Sequence, residues 1–212
     1  MNQSGIESIK AALPASTAVT AFHDERVAKR TWAAGAATEH ESGVWQWIEA
    51  NHRWTNRLWD EEDLARRTDV ADAEIAANKR AIDGFNQKRN DAIERIDEHL
   101  LAMLAAAGVD PDAAGPRLNS ETAGSMVDRL SILSLKLFHM RLQTERTDAS
   151  PEHVASCRQR LARLQEQRAD LAGCLDGLLA DCLAGRARFR IYRQFKMYND
   201  PTMNPYLYGK QG

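Results

Sequence analysis

The chain has 212 residues, enough to bury a sizeable core within one domain. Its 28 Lys and Arg nearly balance 30 Asp and Glu, which excludes a global field that would recruit nucleic acid or an anionic membrane. Cys157, Cys174 and Cys182 form neither a CxxC nor a finger spacing, so an odd cysteine count argues against a disulfide framework and for a reducing compartment.

Alternating β-branched runs are absent, while Ala, Leu, Arg, Glu and Gln dominate the long segments, which predicts an all-α fold. The opening MNQSGIESIKAALP lacks the basic start and long apolar core of a signal peptide, and no stretch approaches the roughly 20 apolar residues of a membrane span. A soluble, cytoplasmic protein is expected. The first helix is expected at about 15–33, followed by the loop TEHESG, a second helix at about 44–66 and a third at about 70–106. AAAGVDPDAAGP closes the third with Gly and Pro stops. A fourth helix starts near ETAGSM and runs to about 146, where TDASP ends it and offers Ser150 as an N-cap with Pro151 at the first helical position. The fifth spans about 151–184, and Val154, Cys157, Leu161, Leu164, Leu171, Leu175, Leu178 and Cys182 keep a bundle-like seam broken by Arg168.

After Gly185, RARFRIYRQFK carries five cations and no acid, interleaved with Phe189, Tyr192 and Phe195. The tail MYNDPTMNPYLYGKQG has turn signals but is more apolar than a free tail, so Tyr206 and Tyr208 are expected to pack on the bundle. The expected architecture is one domain over 1–212, an antiparallel bundle of about five helices. It has a peripheral region at 1–43, a core at 44–184 and a packed, irregular basic and aromatic tail at 185–212.

Three helices carry polar residues on otherwise apolar faces. On the third, the spacing 75, 79, 82, 86, 89, 93, 96, 100, 103 is apolar at both ends and holds Asn86 and Arg89 in its middle, edged by Asn90 and Asp97. On the second, His52, Asn56 and Asp63 share the face of Trp45, Ile48 and Trp59, with Trp47, Trp54 and Leu58 opposite. On the fourth, Ser125, Asp128, Arg129, Lys136 and His139 form the one polar stripe. An unpartnered buried ion costs several kcal/mol, so these groups must pair or face a pocket. Arg89 and Arg129 are matched against Asp63, Asp97 or Asp128, with Asn56, Asn86 and Asn90 completing the hydrogen bonds. A structural ion-pair network and a ligand pocket both satisfy this pattern.

The segments NRLWDEEDLARR, NQKRNDAIERID, ETAGSMVDRLSILSLKLFHM and YRQFKMYNDPTMNPYLY together resemble an uncharacterised bacterial family, domain of unknown function family 4254, over roughly residues 44 to 208. The resemblance implies a mainly helical cytoplasmic protein, often encoded near glycosyltransferases of envelope polysaccharide synthesis. It brings no catalytic assignment, and members often have His where this chain has Asp60. GSMVDRLSILSLK is also similar, over a short stretch, to a GxxxDRLxILxLK pattern in other small proteins associated with glycan synthesis.

The leading functional expectation is a site, enzymatic or binding, for an anionic metabolite such as a nucleotide sugar or glycan precursor. In it Asn56, Asp63, Asn86, Arg89, Asn90, Ser125, Asp128, Arg129 and Lys136 bind, and His52 or Asp97 moves a proton. ETAGS at a helix start reads equally as an anion site and as an ordinary cap. A metal-dependent all-α phosphohydrolase is a weaker alternative: Glu62, Asp63, Glu94 and Asp97 are loosely similar to the ExxE and ExxD helices of nucleotide pyrophosphatases, but the spacing does not match. A non-catalytic adaptor, docking on a glycosyltransferase or on a second copy, is the third. Nucleic acid is disfavoured because the basic run is short, and no cofactor is assigned.

Overall fold

A computed structural model describes residues 3–29, 31–35 and 38–209, with side chains from residue 7 onward. The elements are α1 (Gln3–Ala12), α2 (Ser16–Ala28), α3 (Gly43–Leu64), α4 (Asp72–Ala106), β1 (Arg117–Leu118), α5 (Ala123–Thr144), α6 (Pro151–Leu183), β2 (Ala187–Arg188) and the four-residue α7 (Pro205–Tyr208). Short 3-10 turns occupy Trp32–Ala34 and Met197–Asn199. The fold is all-α, and β1 and β2 form only a two-residue parallel pair that ties the α4–α5 loop to the chain leaving α6. The helix expected at 15–33 ends at Ala28, where a 3-10 turn takes over, and α1 was not anticipated.

Local chemistry sets the ends. Thr122 accepts from the Ser125 amide at 3.1 Å to cap α5, and Ser150 accepts from the His153 amide at 3.2 Å with Pro151 following, as expected for α6. Gly108 and Gly185, both at positive φ, turn the chain just after α4 and α6, where a side chain would be strained.

Two helical hairpins, α3 with α4 and α5 with α6, make the bundle, and α2 lies against α5 and α6. Asp176 of α6 accepts from the Ser16 amide (2.9 Å) and hydroxyl (2.7 Å), while Arg168 of α6 grips Asp24 at 2.7 Å. The two anchors are eight residues apart on each helix and run in opposite order, so they set an antiparallel register. Between them Val19 and Phe22 enter the core, so the region expected to be peripheral supplies part of it.

The core is concentrated at one end: Val44 and Ile48 of α3, Ile96, Leu100 and Leu104 of α4, Val127 and Leu130 of α5, and Leu171, Leu175, Leu178 and Cys182 of α6. Its tightest point is Gly124. A Cβ there would lie 2.6 Å from the Ile93 carbonyl oxygen and 2.9 Å from the Asp97 carboxyl, so only glycine lets α5 start against α4. The Gly124 amide donates to Asp97 at 2.6 Å, and burial pushes the Asp97 carboxyl up to about 6 against the opposing pull of Thr122 and this amide.

Against Phe22 of the core lies a histidine pair. His52 is 0 % exposed, stacks on His23 at 4.3 Å, and has both ring nitrogens engaged: Nε2 with the His23 carbonyl at 3.1 Å and Nδ1 with Ser131 at 2.7 Å. A carbonyl accepts only, so Nε2 donates and Ser131 donates to Nδ1. Burial lowers His52 to about 3 and holds His23, whose ring nitrogens meet no partner among the described residues, well below its ordinary value.

Two predictions follow from these contacts. Gly124→Ala should destabilise by roughly 1–3 kcal/mol through overpacking, whereas Gly84→Ala, on an exposed stretch of α4 with nothing within 4 Å, should stabilise by about 1 kcal/mol; urea unfolding separates them. Because His23 and His52 are neutral when folded, stability should fall as pH drops below about 6.5, each contributing up to about 1.4 kcal/mol per pH unit. Asp97 acts oppositely, since its folded form keeps a proton that the unfolded chain releases near 4, so its contribution is lost as pH rises from about 4 to 6. His23→Phe should flatten the acid limb and Asp97→Asn should steepen it.

Candidate functional site

The inward arginine of α4 finds its partner on α5. Arg89 Nε and Nη2 donate to the two Asp128 oxygens at 2.6 and 2.5 Å, a bidentate fork, and Asn51 adds a third donor to Asp128 at 2.8 Å. The Arg89 side chain keeps 19 % exposure because it also borders a cavity of about 300 Å³ lined by Thr55, Trp59, Glu62, Asp63 and Arg66.

The other expected partners go elsewhere. Arg129 is exposed and pairs with Glu121 at 2.8 Å, and Asp63 is exposed on the cavity rim, so neither joins the buried network as expected. Asn56 donates to the His52 carbonyl at 2.7 Å and lines a cavity of about 280 Å³ with Asp60 and His139. Burial there raises the Asp60 carboxyl, partly offset by His139. Ser125 serves the α5 cap, and Lys136 is exposed between α5 and α6. His52 and Asp97, expected to move protons, are enclosed and committed to Ser131, the His23 carbonyl and Gly124. Glu62 pairs with Arg66 and Glu94 with Arg193; among the described residues no three His, Cys, Asp or Glu gather as a metal-holding group.

Asn86 and Asn90 turn from this network towards the C-terminal tail. Arg193 forms ion pairs with Glu94 and Glu98 of α4, and the Gln194 amide donates to Glu94 at 3.4 Å, which lays the tail along α4. The result is a cavity of about 230 Å³ lined by Asp83, Asn86 and Asn90 from α4 and Gln194, Lys196, Tyr198 and Asn199 from the tail. Among the described residues the side chains of Asn86, Asn90, Gln194, Lys196 and Asn199 make no hydrogen bond, while Asp83 is held by Lys79 at 2.8 Å. The tail is therefore docked through Arg193, with Phe189 buried, but beyond it the expectation fails: Tyr206 is 83 % and Tyr208 53 % exposed. Asn204 accepts from the Tyr206 amide at 2.9 Å and donates to the Tyr198 carbonyl at 2.7 Å, so the distal tail bonds to itself, and residues 200–209 make no hydrogen bond to the bundle among the described residues.

Residue-type reading missed Glu49 and Arg53. Glu49 is wholly buried and accepts from the Glu39 and His40 amides at 3.0–3.1 Å and from Arg53 at 3.2 Å, while Arg53 reaches the Gly35 carbonyl and covers Trp32 at 4.7 Å. Their i, i+4 spacing beside the Trp45 face was the available signal.

No helix among the described residues is long and apolar enough to cross a membrane. No curated protein and no solved structure matches the chain. A family model described as a protein of unknown function (DUF4254) matches residues 45–191, from the start of α3 through Phe189 to the chain that leads into the tail cavity. Well over half of the chain lies within that match, and the chain belongs to the DUF4254 family.

Proposed function

We propose that the cavity between α4 and the tail binds a polyhydroxylated anionic metabolite, such as a sugar phosphate, nucleotide sugar or glycan precursor. The carrying observation is the unspent hydrogen-bonding capacity of Asn86, Asn90, Gln194, Asn199 and Lys196 around one cavity of about 230 Å³. Each amide offers donors and an acceptor, which suits neighbouring hydroxyls. Tyr198 supplies an aromatic wall for the apolar side of a sugar ring, and the Lys196 ammonium suits a phosphate or carboxylate. The carboxylate lining the cavity, Asp83, is engaged by Lys79, so the lining supports binding without an assigned acid or base. On this reading the Arg89–Asp128 fork braces α4 from behind.

An adaptor role is the second reading, favoured by the exposed Phe195, Tyr206 and Tyr208.

A thermal-shift panel of sugar phosphates and nucleotide sugars tests the proposal. A specific ligand at ~100 times its dissociation constant adds about 2.7 kcal/mol, or about 5–10 °C for a domain of this size. Asn86→Ala and Asn90→Ala should abolish the shift and leave the unliganded melting temperature within about 3 °C. Arg89→Met should instead cost several kcal/mol by stranding the buried Asp128 carboxylate. No shift across the panel, or one that survives both asparagine substitutions, rejects the reading.

A further inference from the structure

The α5–α6 hairpin is closed at one end and open at the other. Leu171, Leu175 and Leu178 of α6 are buried, but Leu161 and Leu164 are only half-buried, because α2 covers α6 only from about Arg168 onward. Two cavities of about 490 and 560 Å³ lie along the α5–α6 seam, and both are bordered by Lys136 and Gln167, which makes them adjoining parts of one groove. Its floor runs from Met126 through Ile132 and Leu133 to Met140 and Leu164. At 1.5 Å per residue, Met126 to Met140 spans about 21 Å.

Charge is unevenly placed along it. Glu121, Arg129, Lys136 and Asp170 border the Met126 cavity, so its charges balance, with Glu121 paired to Arg129 at 2.8 Å. Lys136, Arg160 and Arg163 border the Met140 end without an acidic lining residue. Arg163 pairs with Glu166 at 2.7 Å, whereas Lys136 and Arg160 have no ion-pair partner among the described residues. Trp59, stacked on His139 at 4.7 Å and 10°, walls that end.

We propose that this groove is a second binding site, for a single-chain amphiphile with an anionic head. The alkyl chain lies on the Ile132, Leu133, Met140 and Leu164 floor, and its phosphate or carboxylate meets Lys136 and Arg160. Unpaired cations beside a continuous apolar floor match an anionic head carrying one hydrocarbon chain.

Titration calorimetry of the full chain with hexyl, octyl and decyl phosphate, each below its micelle concentration, tests this. Affinity should rise about fourfold per methylene, and decanol should bind at least tenfold more weakly than decyl phosphate. Lys136→Gln and Arg160→Gln, both at exposed positions, should weaken decyl phosphate about tenfold without changing decanol. Met140→Trp should weaken both, with circular dichroism verifying its fold. Absence of saturable binding, no chain-length dependence, or affinity indifferent to the Lys136 and Arg160 variants overturns the proposal, as does tighter binding of an acidic amphipathic peptide. The variants do not touch the tail cavity, so the thermal shift with sugar phosphates should persist in them and the two proposals fail separately.

Discussion

Everything in the bundle is referred to the place where α5 starts against α4. With no side chain at Gly124, the first turn of α5 sits on the Ile93 carbonyl, and Asp97 reaches across to its amide. That contact brings Leu100, Val127 and Leu130 into one core. One turn further along α5, Asp128 is in range of the Arg89 fork and Asn51, so a single close approach positions both the apolar core and the buried ion pair. The cost is a carboxyl held in a poorly solvated site, offset by the hydrogen bond that completes the α5 cap.

The long helices were readable because their ends are written in local chemistry. Thr122, Ser150 with Pro151, and the Gly108 turn act within three or four residues, a range over which sequence and structure coincide. The stripes were harder. Asn86 and Arg89 are 60° apart on a helical wheel, and that angle separates a residue facing α5 from one facing the tail, which periodicity alone does not resolve. Arg89 against Asp128 was among the expected pairs, but Arg129 and Asp63 were misplaced because a charge on a stripe edge can reach water. The distal tail misled for another reason: Tyr206 and Tyr208 advertise apolar surface without saying what should cover it.

One end of the bundle carries the aliphatic core, and against its Phe22 the His23–His52 stack is held neutral by burial. Elsewhere, Asn86 and Asn90 of α4, Lys136 of α5 and Arg160 of α6 line cavities without an ion-pair or side-chain hydrogen-bond partner among the described residues. Tail and α4 meet through exposed ion pairs, which are individually weak and screened by salt, so the tail cavity rests on a less rigid wall than the α5–α6 groove.

The antiparallel clamp of α2 on α6 has a consequence for how the chain is made. Ser16 and Asp176 are 160 residues apart, and Asp24 and Arg168 are 144 apart, so the α2–α6 clamp closes only after α6 has been made, later than the contact of α2 with α5. At roughly 5–20 residues per second, Val19, Phe22 and His23 wait on the order of ten seconds for α5 and longer for α6. The α3–α4 hairpin, built from neighbours in sequence, closes well before then. The nascent chain therefore carries Val19 and Phe22 without their α6 anchors during elongation, and a chaperone shielding that segment would act before the α2–α6 clamp closes.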